Sequence, residues 1–156
     1  MNLSCCQTRP SVVVLESTGK WENAVKLACP EMGIKPLPNL EHLANQLSRK
    51  TGLIAIIEIP TELPLLMERL KFVGFNATNP SQPCFVGVVD DKLSDLKKEI
   101  SQFGFCEVFD NLFQMARLLP LAHNHWKSVS WPNTSIEQRV QNSLPWFSDD
   151  QKTNLK

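Results

Sequence analysis

Three stretches of this chain, Val12 to Leu15, Leu53 to Ile59 and Cys84 to Val89, are near-continuous apolar runs rich in branched side chains. A strand that reads this way has no polar face, so both its faces must be covered, as in a parallel strand held between two helix layers. These three are expected at the centre of a sheet. Two weaker segments differ: Ile34 to Leu37 carries Pro36, and Cys106 to Phe109 is interrupted by Glu107. Proline supplies no ladder N–H and belongs at a margin, so the second and fifth strands are placed at the edges. The expectation is a five-stranded parallel sheet in the order 2-1-3-4-5.

Helical patterns separate the strands. Leu40, Leu43 and Leu47 form one stripe, Leu66, Leu70 and Val73 a second, and Leu93, Leu96, Ile100 and Phe103 a third. Gly33, Gly52, Gly74 and Gly104 each follow a helical pattern and precede a large apolar residue, which reads as a helix stop. A first helix is expected from Lys20 to Cys29, and a fifth from Asn111 towards Asn124 carrying Leu112, Ala116 and Leu119, with Pro120 kinking or ending it. Asn39, Asp90 or Asp91, and Asp110 are the expected N-caps of the second, fourth and fifth helices. The sum is a doubly wound α/β domain over residues 11–125.

The length, 156 residues, suits one such domain with short flanks. Residues 1–10 read as a disordered tail. Residues 126–156 read as an extension whose Trp131-Pro132 and Pro145-Trp146-Phe147 anchor it to its own domain, with a disordered end. Acidic and basic residues balance at sixteen each, so no global field recommends nucleic acid or an anionic membrane. The apolar runs fall far short of the ~18 residues that span a bilayer. Residues 1–10 have neither the basic nor the apolar segment of a signal peptide, and a cytoplasmic location is expected. The five cysteines have no CxxC spacing. Cys29, Cys84 and Cys106 read as small buried hydrophobes, and Cys5-Cys6 lies in the polar tail.

Ligands of an open α/β sheet bind outside the carboxyl ends of the strands, where strand order reverses. Here that crevice lies between the first and third strands. Glu16 ends the first and Glu58 nearly ends the third, on strands ~5 Å apart, and Asp90 and Asp91 close the fourth beside them. Two readings stay open. Glu16 and Glu58 could gather a hard cation such as Mg²⁺, or the acids could cap helix N-termini. The turn Ser17-Thr18-Gly19-Lys20 is a candidate phosphate loop, since a polar glycine-containing turn at a helix start can present backbone N–H groups to an anion. It matches the flavin-phosphate loop T-x-T-G-x-T only at Thr18 and Gly19, and it is not a Walker A loop. His42, His123 and His125 have no catalytic partner pattern, and a helix would point His123 and His125 apart.

At these positions the chain resembles the receiver domain of bacterial response regulators, the CheY-like, flavodoxin-like fold, through all five strand–helix units. The family carries an acidic pair after its first strand, a phosphoacceptor Asp ending the third, a hydroxyl ending the fourth and a Lys ending the fifth. In Val13-Val14-Leu15-Glu16-Ser17 the first acid is matched by Glu16, and Ser17 replaces the second. In Ile56-Ile57-Glu58-Ile59-Pro60 the acceptor position holds Glu58. The hydroxyl position falls on Val89 or Asp90, and the lysine position on Asp110 or Asn111. The resemblance therefore implies a degenerate, "pseudo" receiver: no catalytic residue, no resident cofactor, and phosphotransfer lost. It further implies a signalling or adaptor role through protein partners or a homodimer. Lys97, Lys98, Gln102, Phe109, Gln114 and Arg117 are the residues expected to line the interaction face.

Overall fold

The computed structural model describes residues 12–129. The expected N-terminal tail with Cys5-Cys6, and the segments around Trp131 and Trp146, lie outside the described residues. The strands are β1 (Val12–Leu15), β2 (Ile34–Leu37), β3 (Ile54–Glu58), β4 (Cys84–Val88) and β5 (Phe105–Phe109). All pair in parallel, in the order β2-β1-β3-β4-β5. The two segments with interrupting polar or proline residues do take the edges. Register aligns Val12 with both Ile34 and Ile54, which sets the carboxyl ends of β1 and β3 side by side.

The helices are α1 (Lys20–Ala28), α2 (Leu40–Arg49), α3 (Leu63–Asn76), α4 (Lys97–Ser101) and α5 (Leu118–Val129). Alternate residues of each central strand feed two cores. Val13, Leu15, Ala55, Ile57 and Phe85 pack with Leu43, Leu47, Leu70, Val73 and Ile100 beneath α2, α3 and α4. Val12, Val14, Ile54, Ile56 and Val86 pack with Trp21, Val25, Met115, Leu118 and Ala122 beneath α1 and α5. No helix among the described residues is long and apolar enough to cross a membrane.

Several local expectations are corrected. Gly52 and Gly104 take positive φ, +76° and +129°, as helix stops should. At Gly104 a Cβ would also come within 2.9 Å of Ala77 Cβ. Gly74, however, lies inside α3, which runs on to Asn76, and Gly33 accepts from Val12 at the start of β2, well past the end of α1. The fourth and fifth helices each begin as a six-residue 3₁₀ segment, Asp91–Leu96 and Leu112–Arg117. The change of winding rotates the buried face. Leu96 and Phe103 are exposed, as are Leu112, Ala116 and Leu119, while Met115, Leu118 and Ala122 face the core. Pro120 sits in the first turn of α5, where a missing N–H costs little, and neither kinks nor ends it. The helix continues to Val129, past the expected boundary at residue 125, and Trp126 packs on the α1–α5 core.

Candidate functional site

The crevice is built from the turn after β1. Gly19 adopts φ +81°, with open space where a Cβ would stand, so the requirement is for a left-handed backbone and not for room. That reversal folds Glu16 back over the start of α1. Its Oε2 accepts from the Trp21 N–H at 2.9 Å and its Oε1 from the Glu22 N–H at 2.6 Å. The Lys20 N–H donates to Thr18 Oγ1 at 3.3 Å, and the Asn23 N–H to the Gly19 carbonyl at 3.0 Å. Every N–H of the first turn of α1 is thus satisfied from within the chain. The Lys20 ammonium lies over the Trp21 ring, 5.4 Å from its centroid. A phosphate loop needs those donors free for its anion; here the Glu16 carboxylate already holds the anion's place. The turn Ser17-Thr18-Gly19-Lys20 thus serves to cap α1.

Glu58 is held from the opposite side. Its Oε1 accepts from the Ser17 N–H at 3.2 Å and the Ser17 hydroxyl at 3.0 Å. Arg69, projecting from α3, donates to the Glu58 carbonyl. Burial lowers the Arg69 guanidinium's affinity for its proton, and the charges of Glu58 and Glu68 act against that loss. Of the two carboxylates expected to share a cation, one has both oxygens committed to a helix start and the other is tied to Ser17. No cluster of three or more His, Cys, Asp or Glu suited to a metal occurs among the described residues. Mg²⁺ held between Glu16 and Glu58 would compete with the two N–H groups that Glu16 caps and with the Ser17 donors on Glu58 Oε1.

The ends of β4 and β5 follow the same pattern. Asp90 accepts from the Lys92 N–H at 2.9 Å and caps the first 3₁₀ segment, of which exposed Asp91 is the first residue. Val89 is buried. After β5 the cap is Asn111 and not Asp110: Asn111 Oδ1 accepts from the Phe113 N–H, and Gln114 Oε1 accepts in return from the N–H groups of Asp110 and Asn111. Asp110 turns instead towards α4, where its Oδ1 stands 3.4 Å from Lys97 Nζ. Burial works to raise the Asp110 carboxyl, but a hydrogen bond with Ser94 and the Lys97 charge together hold it below the usual carboxylate range.

No family model matches the sequence, and no curated protein matches it. Solved structures do. The signal receiver domain of a LuxO repressor protein from Vibrio parahaemolyticus superimposes with a TM-score of 0.59 at 13% identity, covering 78% of this chain and 93% of that one. NtrX from Brucella abortus, solved in complex with ADP, superimposes with a TM-score of 0.57 at 10% identity, covering 85% of this chain and 28% of that one. The fold is that of response-regulator receiver domains.

Within this receiver fold, the residues expected on the interaction face divide. Lys98 and Gln102 are exposed on and just after α4, and Arg117 is exposed, with its Nη1 3.3 Å from Glu107 Oε1. Lys97 is committed to Asp110, and Gln114 to its capping box. Phe109 is 0% exposed and belongs to the core under α5, so it lines no surface. Its side chain alternates inward on an edge strand that has covered faces although its rim is open. The histidines stay apart, as their spacing implies. His42 joins its N-cap Asn39, and His123 lies against Trp126. His125 is half-buried, and burial lowers its pKa.

Sequence reasoning missed two groups that the structure brings to the strand ends and the sheet edge. Arg69 was hidden because only the packing of α3 brings its guanidinium to the end of β3. Cys106, expected to be buried, is exposed and lies against Cys84. The one available signal for the latter was Glu107, which breaks the apolar run beside it.

Proposed function

We propose that this chain is a non-catalytic signalling or adaptor protein built on the receiver fold, which acts by binding other proteins in the cytoplasm and no longer transfers phosphate. The observation that carries this reading is the acid at the acceptor position and the absence of a lysine at the end of β5. By the resemblance Glu58 stands where the acceptor belongs, bonded to Ser17, and Asp110 or Asn111 stands where the cation belongs, Asp110 itself paired with Lys97. A phosphoryl group added here would meet no lysine from the end of β5, where a working switch offers one. The charge complementarity that would turn modification into movement is missing. The permanent carboxylate of Glu58 and its tie to the β1–α1 turn support a crevice fixed in one state.

The exposed surface of α4, with Lys98 and Gln102, and the neighbouring Arg117 form the contact face, for a protein partner or a second copy of the chain. Flavin or phosphate binding at the Ser17–Lys20 turn has no free first-turn donor to support it. The test is backbone amide NMR of the labelled protein with Mg²⁺ and then beryllofluoride, a phosphoryl mimic. Resonances of Ser17, Glu58 and Asp110 are expected to stay in place. Shifts there that spread along β5 would restore a live phosphoreceiver and overturn the reading. Sedimentation of the wild type against a Lys98→Glu, Arg117→Glu variant tests the face for self-association.

A further inference from the structure

The sulfur atoms of Cys84 and Cys106 lie 3.1 Å apart on the neighbouring strands β4 and β5. Cys84 is buried in the core under α1 and α5, whereas Cys106 is exposed on the edge strand. The β4–β5 ladder is irregular at this point: Phe85 aligns with Phe105 and Val86 with Glu107, which leaves Cys106 as the extra residue of a bulge. A bulge re-aims the side chain it carries, and here it sets the Cys106 thiol against that of Cys84. An S–S bond measures ~2.05 Å, so the pair has only ~1 Å to close, a distance within the reach of side-chain rotation. We propose that Cys84 and Cys106 form a reversible disulfide, making the β4–β5 edge a peroxide-responsive redox site.

The chemistry balances in two steps with hydrogen peroxide as oxidant. The Cys106 thiolate attacks one peroxide oxygen, the O–O bond breaks, and hydroxide leaves to yield a sulfenic acid. The Cys84 sulfur then attacks the Cys106 sulfur. The S–O bond breaks, the Cys84 proton goes to the departing oxygen, and water leaves behind a disulfide. The two cysteines are oxidised by two electrons and the peroxide is reduced. The division of labour follows from exposure, since among the described cysteines Cys106 is the one open to the oxidant and Cys84 is the one placed to resolve it. The Cys84 S–H donates to Cys106, which brings the Cys106 thiol down to about 7, against the opposition of partial burial and of Glu107 and with help from a hydrogen bond at the Phe85 backbone. Glu107 is in turn engaged by Arg117. Cys84 is pushed up by the same bond and by burial, as suits a resolving thiol that stays protonated until needed. Cys29, buried, is raised as well and offers no competing nucleophile. In a reducing compartment a thiol pair of this kind is transient and sensing, not structural.

The test uses the full-length reduced chain treated with hydrogen peroxide near neutral pH, then denatured, blocked with N-ethylmaleimide and mapped by mass spectrometry. The expected product is a peptide pair joined through Cys84 and Cys106, lighter by two hydrogens and restored by dithiothreitol. In Cys84→Ser the same treatment is expected to leave a Cys106 sulfenic acid that dimedone traps. Peroxide-treated wild type in which Cys84 is still alkylated by N-ethylmaleimide would overturn the proposal. So would Cys106 joined to Cys5, to Cys6 or to a second chain. The wild-type map decides the matter even if the Cys84 variant fails to fold.

Discussion

The crevice above β1 and β3 and the edge formed by β4 and β5 hold their polar groups in opposite ways. In the crevice every decisive group has a partner within the chain. Glu16 closes the start of α1, Ser17 closes Glu58, and Arg69 closes the end of β3. At the edge, one weak thiol bond joins a buried sulfur to an exposed one at a break in the ladder. What differs is the kind of partner: the crevice acids are tied to backbone and hydroxyl donors, whereas the edge thiols are joined to each other, one buried and one exposed.

The largest expected effect sharpens the edge's own division between core and rim. Phe109→Ala should cost about 3–5 kcal/mol in urea unfolding, because it empties a fully buried aromatic position under α5. A loss below about 1 kcal/mol would return Phe109 to the surface. In the crevice, Glu16→Ala strips the acceptor from two N–H groups at once and should cost about 2 kcal/mol. If it costs nothing, water replaces the carboxylate freely and the crevice is open after all.

The next contrast is kinetic. A thiol lowered from 9.0 to about 7 has roughly fifty times more thiolate at neutral pH, but a weaker base is also a poorer nucleophile by up to tenfold. Cys106 in the folded chain should thus react with iodoacetamide about fivefold faster at pH 7 than in urea. Its rate should level off as pH rises past about 7, while the urea-unfolded thiol keeps accelerating towards 9. Equal profiles would erase the difference between edge and crevice.

Smaller effects remain. Glu58→Gln keeps a carbonyl oxygen for the Ser17 donors, so stability should change by less than about 1 kcal/mol. Arg117→Ala breaks only an exposed ion pair and should change stability by at most about 0.5 kcal/mol. A larger loss there would mean that Arg117 braces the bulge through Glu107.

Much of the architecture was legible because it depends on patterns that short segments carry alone. Branched apolar runs marked the central strands, Pro36 marked an edge, and Asn39 was found as a cap because a cap bonds only three residues onward. Asp110 was misread as a cap for a related reason. Two adjacent residues, Asp110 and Asn111, can each start a helix, and the offset between them was settled by Lys97 reaching in from α4. Likewise Gly74 carries the signature of a stop, but the close packing of α3 carries the helix past it to Asn76.

The sequence by itself determined the layered α/β order, since hydrophobic periodicity selects which faces must be covered before any contact forms. It also determined that acids and not a lysine would stand at the carboxyl ends of β3 and β5. Only the tertiary structure decided what those acids do. A carboxylate's role depends on which donors surround it, and those donors come from Ser17, from the start of α1 and from Lys97. The thiol pair belongs wholly to that second kind of information. Cys84 and Cys106 are 22 positions apart, and a one-residue bulge in an edge strand is what puts one sulfur beside the other.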